Sequence, residues 1–242
     1  MKIFPLGDSA VTIDLGNLIS EALNLKILAM SQWILERPVH GLRDVITAYS
    51  SLTLLYNPLE VTSKQYSHST AYEIMRSLLE QAYREAPAKI TQAGEPKQIP
   101  VCYDESFGPD LQRISEEKQL SRQAIIQLHS ERTYRVYMIG FLPGFAYMGE
   151  TNALLHMPRK SRPLPVMAGS IGITGKQTGI YPLDSPGGWH IIGRTPVKQF
   201  DPMAEAPVML QPGDLVRFYP ITSEAFYQGP WKKHRDPCNG AD

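Results

Sequence analysis

Gly172-Ile173-Thr174-Gly175-Lys176-Gln177-Thr178-Gly179-Ile180-Tyr181-Pro182-Leu183-Asp184-Ser185-Pro186-Gly187-Gly188-Trp189-His190-Ile191-Ile192-Gly193-Arg194-Thr195-Pro196 is the stretch from which the chain is best read. Short β-branched and aromatic runs alternate in it with Gly and Pro, which end strands and set turns. The glycine enrichment extends further: ten of the 18 glycines fall between residues 140 and 195. Tyr134 to Ile139, Ser170 to Thr174, Trp189 to Ile192 and Leu215 to Tyr219 have strand character. Many short strands punctuated in this way predict a closed or sandwich-like β domain. Two helices lead into it, Pro109 to Lys118 after Gly108 and Ser121 to Glu131, each with a favourable first residue.

The N-terminal part reads differently. Lys2 to Leu6 and Ala10 to Leu15 are short apolar stretches, followed by helical periodicity from Leu18 to Glu36. Ala22, Leu25, Leu28 or Ala29, and Trp33 or Ile34 would line the buried face of that helix. Leu42 to Ala48 and Leu52 to Tyr56 follow as strands until Asn57-Pro58. Thr70 and Glu73 have capping-box spacing, and Ala71, Met75, Leu78, Leu79 and Ala82 form the stripe behind it. This is a ββαββα pattern, with a possible closing strand near Ile99 to Tyr103. Pro87 to Gln98, polar and broken by Pro87, Gly94 and Pro96, is the expected linker. The domains are therefore placed at residues 1–92 and 93–242.

Composition narrows the function. The 242 residues carry 24 Lys+Arg against 24 Asp+Glu, which excludes a strongly cationic nucleic-acid binder. No run approaches the ~20 apolar residues of a membrane span, and Pro5, Gly7 and Asp8 interrupt any leader-like apolar start. Cys102 and Cys238 are the two cysteines, far apart, so no disulfide framework or cysteine-rich zinc site is expected, and a cytoplasmic protein is.

Between residues 143 and 202 there are six cations, Arg159, Lys160, Arg162, Lys176, Arg194 and Lys198, against Glu150, Asp184 and Asp201. Glycine loops with a local positive excess can cradle a carboxylate or phosphate. The same loops also read as the tight turns of a small barrel. Gly169 and Gly175 bracket five residues and Gln177 follows Lys176, so the phosphate-loop pattern fails. Ala168 stands where the first glycine of a nucleophile elbow belongs, which makes Ser170 structural. His156 and His190 lack partners at metal-ligand spacing, and no metal site is expected. His190 suits proton donation or acceptance, or packing in a strand beside Trp189. Gly140-Phe141-Leu142-Pro143-Gly144-Phe145-Ala146-Tyr147 is either an aromatic pocket wall or a strand end folded over the core.

These same residues carry a resemblance. The run from Gly172 to Pro196, with Gly140-Phe141-x-Pro143-Gly144-Phe145-x-Tyr147, Pro158-Arg159 and Ala168-Gly169-Ser170, resembles the family of the 5-oxoprolinase B subunit. That family also takes in the sporulation kinase inhibitor KipI and the first subunit of allophanate hydrolase-type proteins. Gly7-Asp8-Ser9-Ala10 and Phe107-Gly108-Pro109-Asp110-Leu111 match as well, while Met167 stands where the family is expected to have Pro.

The resemblance implies an α+β protein, a ferredoxin-like N-terminal α/β domain followed by a cyclophilin-like β-barrel. It implies a component, inactive alone, that works with homologues of the 5-oxoprolinase A and C subunits to open 5-oxo-L-proline to L-glutamate. ATP, with Mg, would act in the assembled complex, and nothing would be bound tightly by this chain. On that basis Arg159 and Arg194 are expected to clamp anionic groups. Lys176 supplies a point charge and His190 the catalytic proton shuttle. Gln177, Tyr181 and Asp184 orient the substrate, and Phe145, Tyr147, Gly187 and Gly188 wall the pocket. The alternatives are inhibition of a sensor histidine kinase by binding it, and an allophanate hydrolase-type role.

Overall fold

The computed structural model describes residues 1–63, 69–87 and 94–232. Residues 88–93 of the expected linker, and Cys238, lie outside them. The chain divides into two compact units, Met1–Gln92 and Ala93–Asp242.

In the first unit β1 (Lys2–Pro5) and β2 (Ala10–Asp14) precede α1 (Glu21–Leu35). Then come β3 (Leu42–Thr47), β4 (Ser51–Tyr56), the short α2 (Pro58–Thr62) and α3 (Ala71–Glu85). The strands form an antiparallel sheet in the order β1-β2-β4-β3. Strand alternation sends Val11 and Ile13 of β2, and Leu52, Leu54 and Tyr56 of β4, into one core with Ile27, Met30, Ile34, Met75, Leu79 and Ala82 of the helices. Thr70 and Glu73 make the capping box: the Glu73 N–H donates to Thr70 Oγ1 at 3.2 Å and the Thr70 N–H to Glu73 Oε2 at 2.8 Å. The α1 stripe holds at Leu28, Ala29, Trp33 and Ile34, which are buried as expected, and departs from expectation in the first turns. Ala22 is exposed and Leu25 half-buried. Asn24 takes the buried place because its amide donates to the carbonyls of Ala48 and Tyr49, each at 3.3 Å.

The second unit opens with β5 (Lys97–Cys102), α4 (Leu111–Lys118) and α5 (Arg122–Ser130). It continues through β6 (Thr133–Ile139), β7 (Ala146–Gly149), β8 (Leu164–Val166), β9 (Ser170–Thr174) and β10 (Gln177–Ile180). It ends with β11 (Ser185–Gly187), β12 (His190–Arg194), β13 (Leu215–Ile221) and α6 (Ser223–Gln228). Seven strands close a barrel in the order β10-β7-β6-β13-β5-β12-β9, and β8 and β11 form a separate ribbon. The strand expected to close the first part is instead β5 of this barrel. It pairs parallel with β13, Ile99 opposite Phe218, and sends Ile99 and Val101 into the barrel core. Its apolar pattern fixes a strand but not the sheet it joins.

A directed hydrogen-bond chain crosses the barrel interior. Thr178 Oγ1 donates to the Gly172 carbonyl at 3.2 Å and therefore accepts from His129 Nε2 at 2.9 Å. The other ring nitrogen, Nδ1, then accepts from the Tyr103 hydroxyl at 2.8 Å. The imidazole stacks on Phe218 with centroids 4.7 Å apart. Burial pushes its pKa down from 6.5 to about 3. The chain thus holds a neutral imidazole directly behind β9 and β10.

Candidate functional site

The outer face of the wall β7-β10-β9 follows from strand alternation. Ala146 and Met148, Ile171 and Ile173, and Ile180 belong to the barrel core. Their neighbours Phe145 and Tyr147, Thr174, and Gln177 and Tyr181 therefore face the other way. With Phe141, Pro158, Arg159, Gly175, Gly187 and Trp189 they line a cleft of about 430 Å³.

Glycines make this wall thin enough to carry aromatic rings. Gly172 of β9 pairs with Gly179 of β10. A Cβ on Gly172 would lie 3.0 Å from Trp189 Cβ, and one on Gly179 would lie 3.0 Å from Trp189 Cζ3 and 3.1 Å from Phe145 Cζ. Phe145 sits centrally: its ring meets Tyr147 at 4.6 Å, Tyr181 edge-on at 5.0 Å and Trp189 edge-on at 5.5 Å between centroids. Such pairs add roughly 0.5–1.5 kcal/mol each beyond the area they bury. At the rim Phe141 holds φ +69° and stands 61% exposed, edge-on to Phe145. A left-handed backbone at a bulky residue is strained, a feature that clusters at ligand sites.

The polar groups are few. Arg159 is exposed at the cleft and pairs with no carboxylate among the described residues. Burial raises the Tyr147 phenol, opposed by the Arg159 guanidinium. Burial also raises the Tyr181 phenol, opposed by the Trp189 N–H and Arg159. Both phenols are neutral near pH 7 and serve as hydrogen-bonding groups. The successive glycines of Gly187-Gly188 each admit one of these side chains. A Cβ on Gly187 would meet the Tyr181 hydroxyl at 2.5 Å, and one on Gly188 would meet Arg159 Nε at 2.6 Å.

A pair of substitutions separates the two glycines. Gly187→Ala presses on Tyr181, which is 1% exposed and has no room to yield. Overpacking there should cost about 1–3 kcal/mol in urea unfolding. Gly188→Ala meets the flexible arm of Arg159, which can swing away, so stability should change by less than about 1 kcal/mol while ligand affinity falls.

Of the residues singled out in the sequence, Phe145, Tyr147, Arg159, Gln177, Tyr181 and Gly187 come together in the cleft, and Gly188 supports Arg159 from beneath. The other four lie elsewhere. Lys176 is exposed on the β9–β10 turn, 3.9 Å from Glu150. Asp184 and Arg194 grip one turn: Asp184 Oδ1 accepts from the Ala168 N–H at 2.6 Å, and Arg194 Nε donates to the Ala168 carbonyl at 2.7 Å. Met167, in that turn, lies with Sδ 3.6 Å from Arg194 Nη1. His190 is 1% exposed, and its Nε2–H donates to the Pro158 carbonyl at 2.8 Å. Trp189, Thr174, Gly175 and Pro158 join the cleft without having stood out as site residues in the sequence. Alternation carries the signal for Trp189, since His190 is in register with core residue Ile173 and the residue before it faces the cleft.

A two-layer α/β unit followed by a seven-stranded barrel with this cleft defines a class: the chain belongs to the carboxyltransferase domain family, subdomains C and D, which it matches over residues 1–210. Within that family it is similar to the B subunit of 5-oxoprolinase. It is 38% identical over 232 residues to that protein from Bacillus subtilis strain 168, covering 93% of this chain and 95% of the relative. It is 35% identical over 221 residues to its counterpart from Escherichia coli O157:H7, covering 90% and 95%. The solved structure of TTHA0988 superposes with a TM-score of 0.76 at 36% identity, over 88% of this chain and 40% of the longer TTHA0988 chain. The resemblance carried by the glycine-rich motifs therefore extends across nearly the whole chain. Among the described residues no helix is long and apolar enough to cross a membrane.

Proposed function

We propose that this chain acts as the B subunit of an ATP-dependent 5-oxoprolinase, opening 5-oxo-L-proline to L-glutamate together with homologues of the A and C subunits. The observation that carries this reading is that Arg159 and Gln177 line one cleft together with aromatic side chains. The substrate is a small ring bearing one carboxylate and one lactam amide. A guanidinium fork takes the carboxylate bidentately. The Gln177 side chain, both donor and acceptor, matches the lactam N–H and C=O. Phe145, Tyr147, Tyr181 and Trp189 cover the ring and exclude water, which strengthens both polar contacts.

A lactam carbonyl is a weak electrophile, and ATP supplies the activation by phosphorylation in the assembled enzyme. The lining residues do not fit a magnesium-bound triphosphate. They offer one guanidinium and no carboxylate, whereas such sites combine several phosphate-facing donors with acidic metal ligands. Nucleotide binding falls to the partner subunits in this reading, and the cleft binds and orients the ring.

The test is ATP-dependent glutamate release from 5-oxoproline, first by this chain alone and then with the co-purified A and C subunits. Turnover only in the reconstituted mixture is the expected result. Silence with all three proteins folded and assembled would remove the proposal.

A further inference from the structure

Arg159 belongs to a three-residue segment tied to the start of β12 on both sides. Before it, the Pro158 carbonyl accepts from His190 Nε2 at 2.8 Å. After it, the Lys160 N–H donates to the Gly188 carbonyl at 2.8 Å. The Lys160 ammonium then donates to Asp110 Oδ2 at 2.6 Å, and that same oxygen accepts the Ile191 N–H at 2.6 Å. Asp110 is itself placed by the start of α4, where its own N–H donates to the Ile191 carbonyl at 3.0 Å. Gly188 lies between the two anchors, its missing Cβ leaving the space that the Arg159 stem fills.

We infer that His190 and the Asp110–Lys160 pair are positioning residues, which hold Arg159 aimed over the cleft before substrate arrives. This rests on the reading of the cleft as the 5-oxoproline site. The side chains of Lys160 and Asp110 are 10% and 14% exposed. Burying an ion pair is expensive and gains little stability over apolar packing, so a pair kept at this point is explained by what it places. His190 is equally committed. Its Nε2–H is held by the Pro158 carbonyl. The other ring nitrogen, Nδ1, is buried without a hydrogen-bond partner among the described residues. The ring therefore contributes one bond, to Pro158. A flexible arginine held in its bound pose loses less freedom on binding, which is read in affinity for the carboxylate.

The experiment is steady-state kinetics of the reconstituted complex in a double-mutant cycle. His190→Leu should raise KM for 5-oxoproline about tenfold with kcat within about twofold, because uniform binding is what is lost. His190→Gln, which places an amide N–H near the Nε2 position, should recover most of that loss. In an Arg159→Ala background His190→Leu should change KM by less than about twofold, since a residue acting through Arg159 has nothing left to place. Asp110→Asn, which keeps an acceptor for the Ile191 N–H, reads the second anchor with the same expectations if His190→Leu does not assemble. A large Arg159→Ala effect combined with silent or additive effects at both anchors would overturn the inference alone. A neutral Arg159→Ala would overturn the reading of the cleft and the inference with it.

Discussion

Replacing Arg159 by Ala should raise the KM for 5-oxoproline about 100-fold in the reconstituted complex, with the fold and assembly unchanged. The side chain is exposed at the cleft and in no ion pair with a carboxylate of the described residues, so its loss removes no such internal support. What it removes is a charge-assisted, two-pronged contact worth about 1.5–3 kcal/mol, and every ~1.4 kcal/mol is tenfold in affinity. Arg159→Lys should fall between, near tenfold, because an ammonium keeps the charge but not the fork. Steady-state kinetics across a 5-oxoproline series checks both values. Equal KM in all three proteins would place the carboxylate elsewhere.

Acidification should destabilise the barrel before most carboxylates titrate. His129 is fully buried, and its pKa falls from 6.5 to about 3 because burial disfavours the charged ring. Once unfolded, the imidazole binds a proton below about pH 6.5 that the native state refuses. The unfolded state then holds more protons, so stability rises with pH across this window and is lost as pH falls from about 6.5 toward 3. The slope from this one residue is at most about 1.4 kcal/mol per pH unit, or about 2 kcal/mol between pH 6.5 and 5. Urea unfolding at a series of pH values reads it. In His129→Gln, destabilised overall through the lost bonds to Tyr103 and Thr178, this part of the slope should vanish. A wild-type protein with flat stability from about pH 7 to 5 would show that the chain behind β9 and β10 accommodates a charged ring.

Much of this architecture is legible in the sequence because periodicity is local. The capping box at Thr70 and Glu73, the helices after Asp110 and Ser121, and the short strands between glycines follow from residue type and spacing. What spacing does not carry is partner choice. β5 reads as a strand either way, and only three-dimensional pairing assigns it to β13. The first turns of α1 depend on Asn24, whose burial rests on two carbonyls more than 20 residues away.

The site shows the same division. Tyr147, Gln177, Tyr181 and Arg159 are recognisable as polar or aromatic groups on a glycine framework. Lys176 and His190 stand out for their chemistry, but each sits one residue from a side chain that faces the cleft, Gln177 and Trp189. For His190 one step along the strand reverses the face, and Lys176 sits on the turn between β9 and β10. Arg194 and Asp184 have the right charges for a ligand, yet neither lines the cleft and each bonds the Ala168 backbone. Such side chain to backbone bonds leave no mark in composition.

The most direct measurement is a crystal structure of the assembled complex soaked with 5-oxoproline and no nucleotide. The ring should lie against Phe145, Tyr181 and Trp189, with its carboxylate about 2.7–2.9 Å from the Arg159 guanidinium nitrogens. A ligand bound at full occupancy on another protein of the complex, with this cleft filled by solvent, would contradict the assignment.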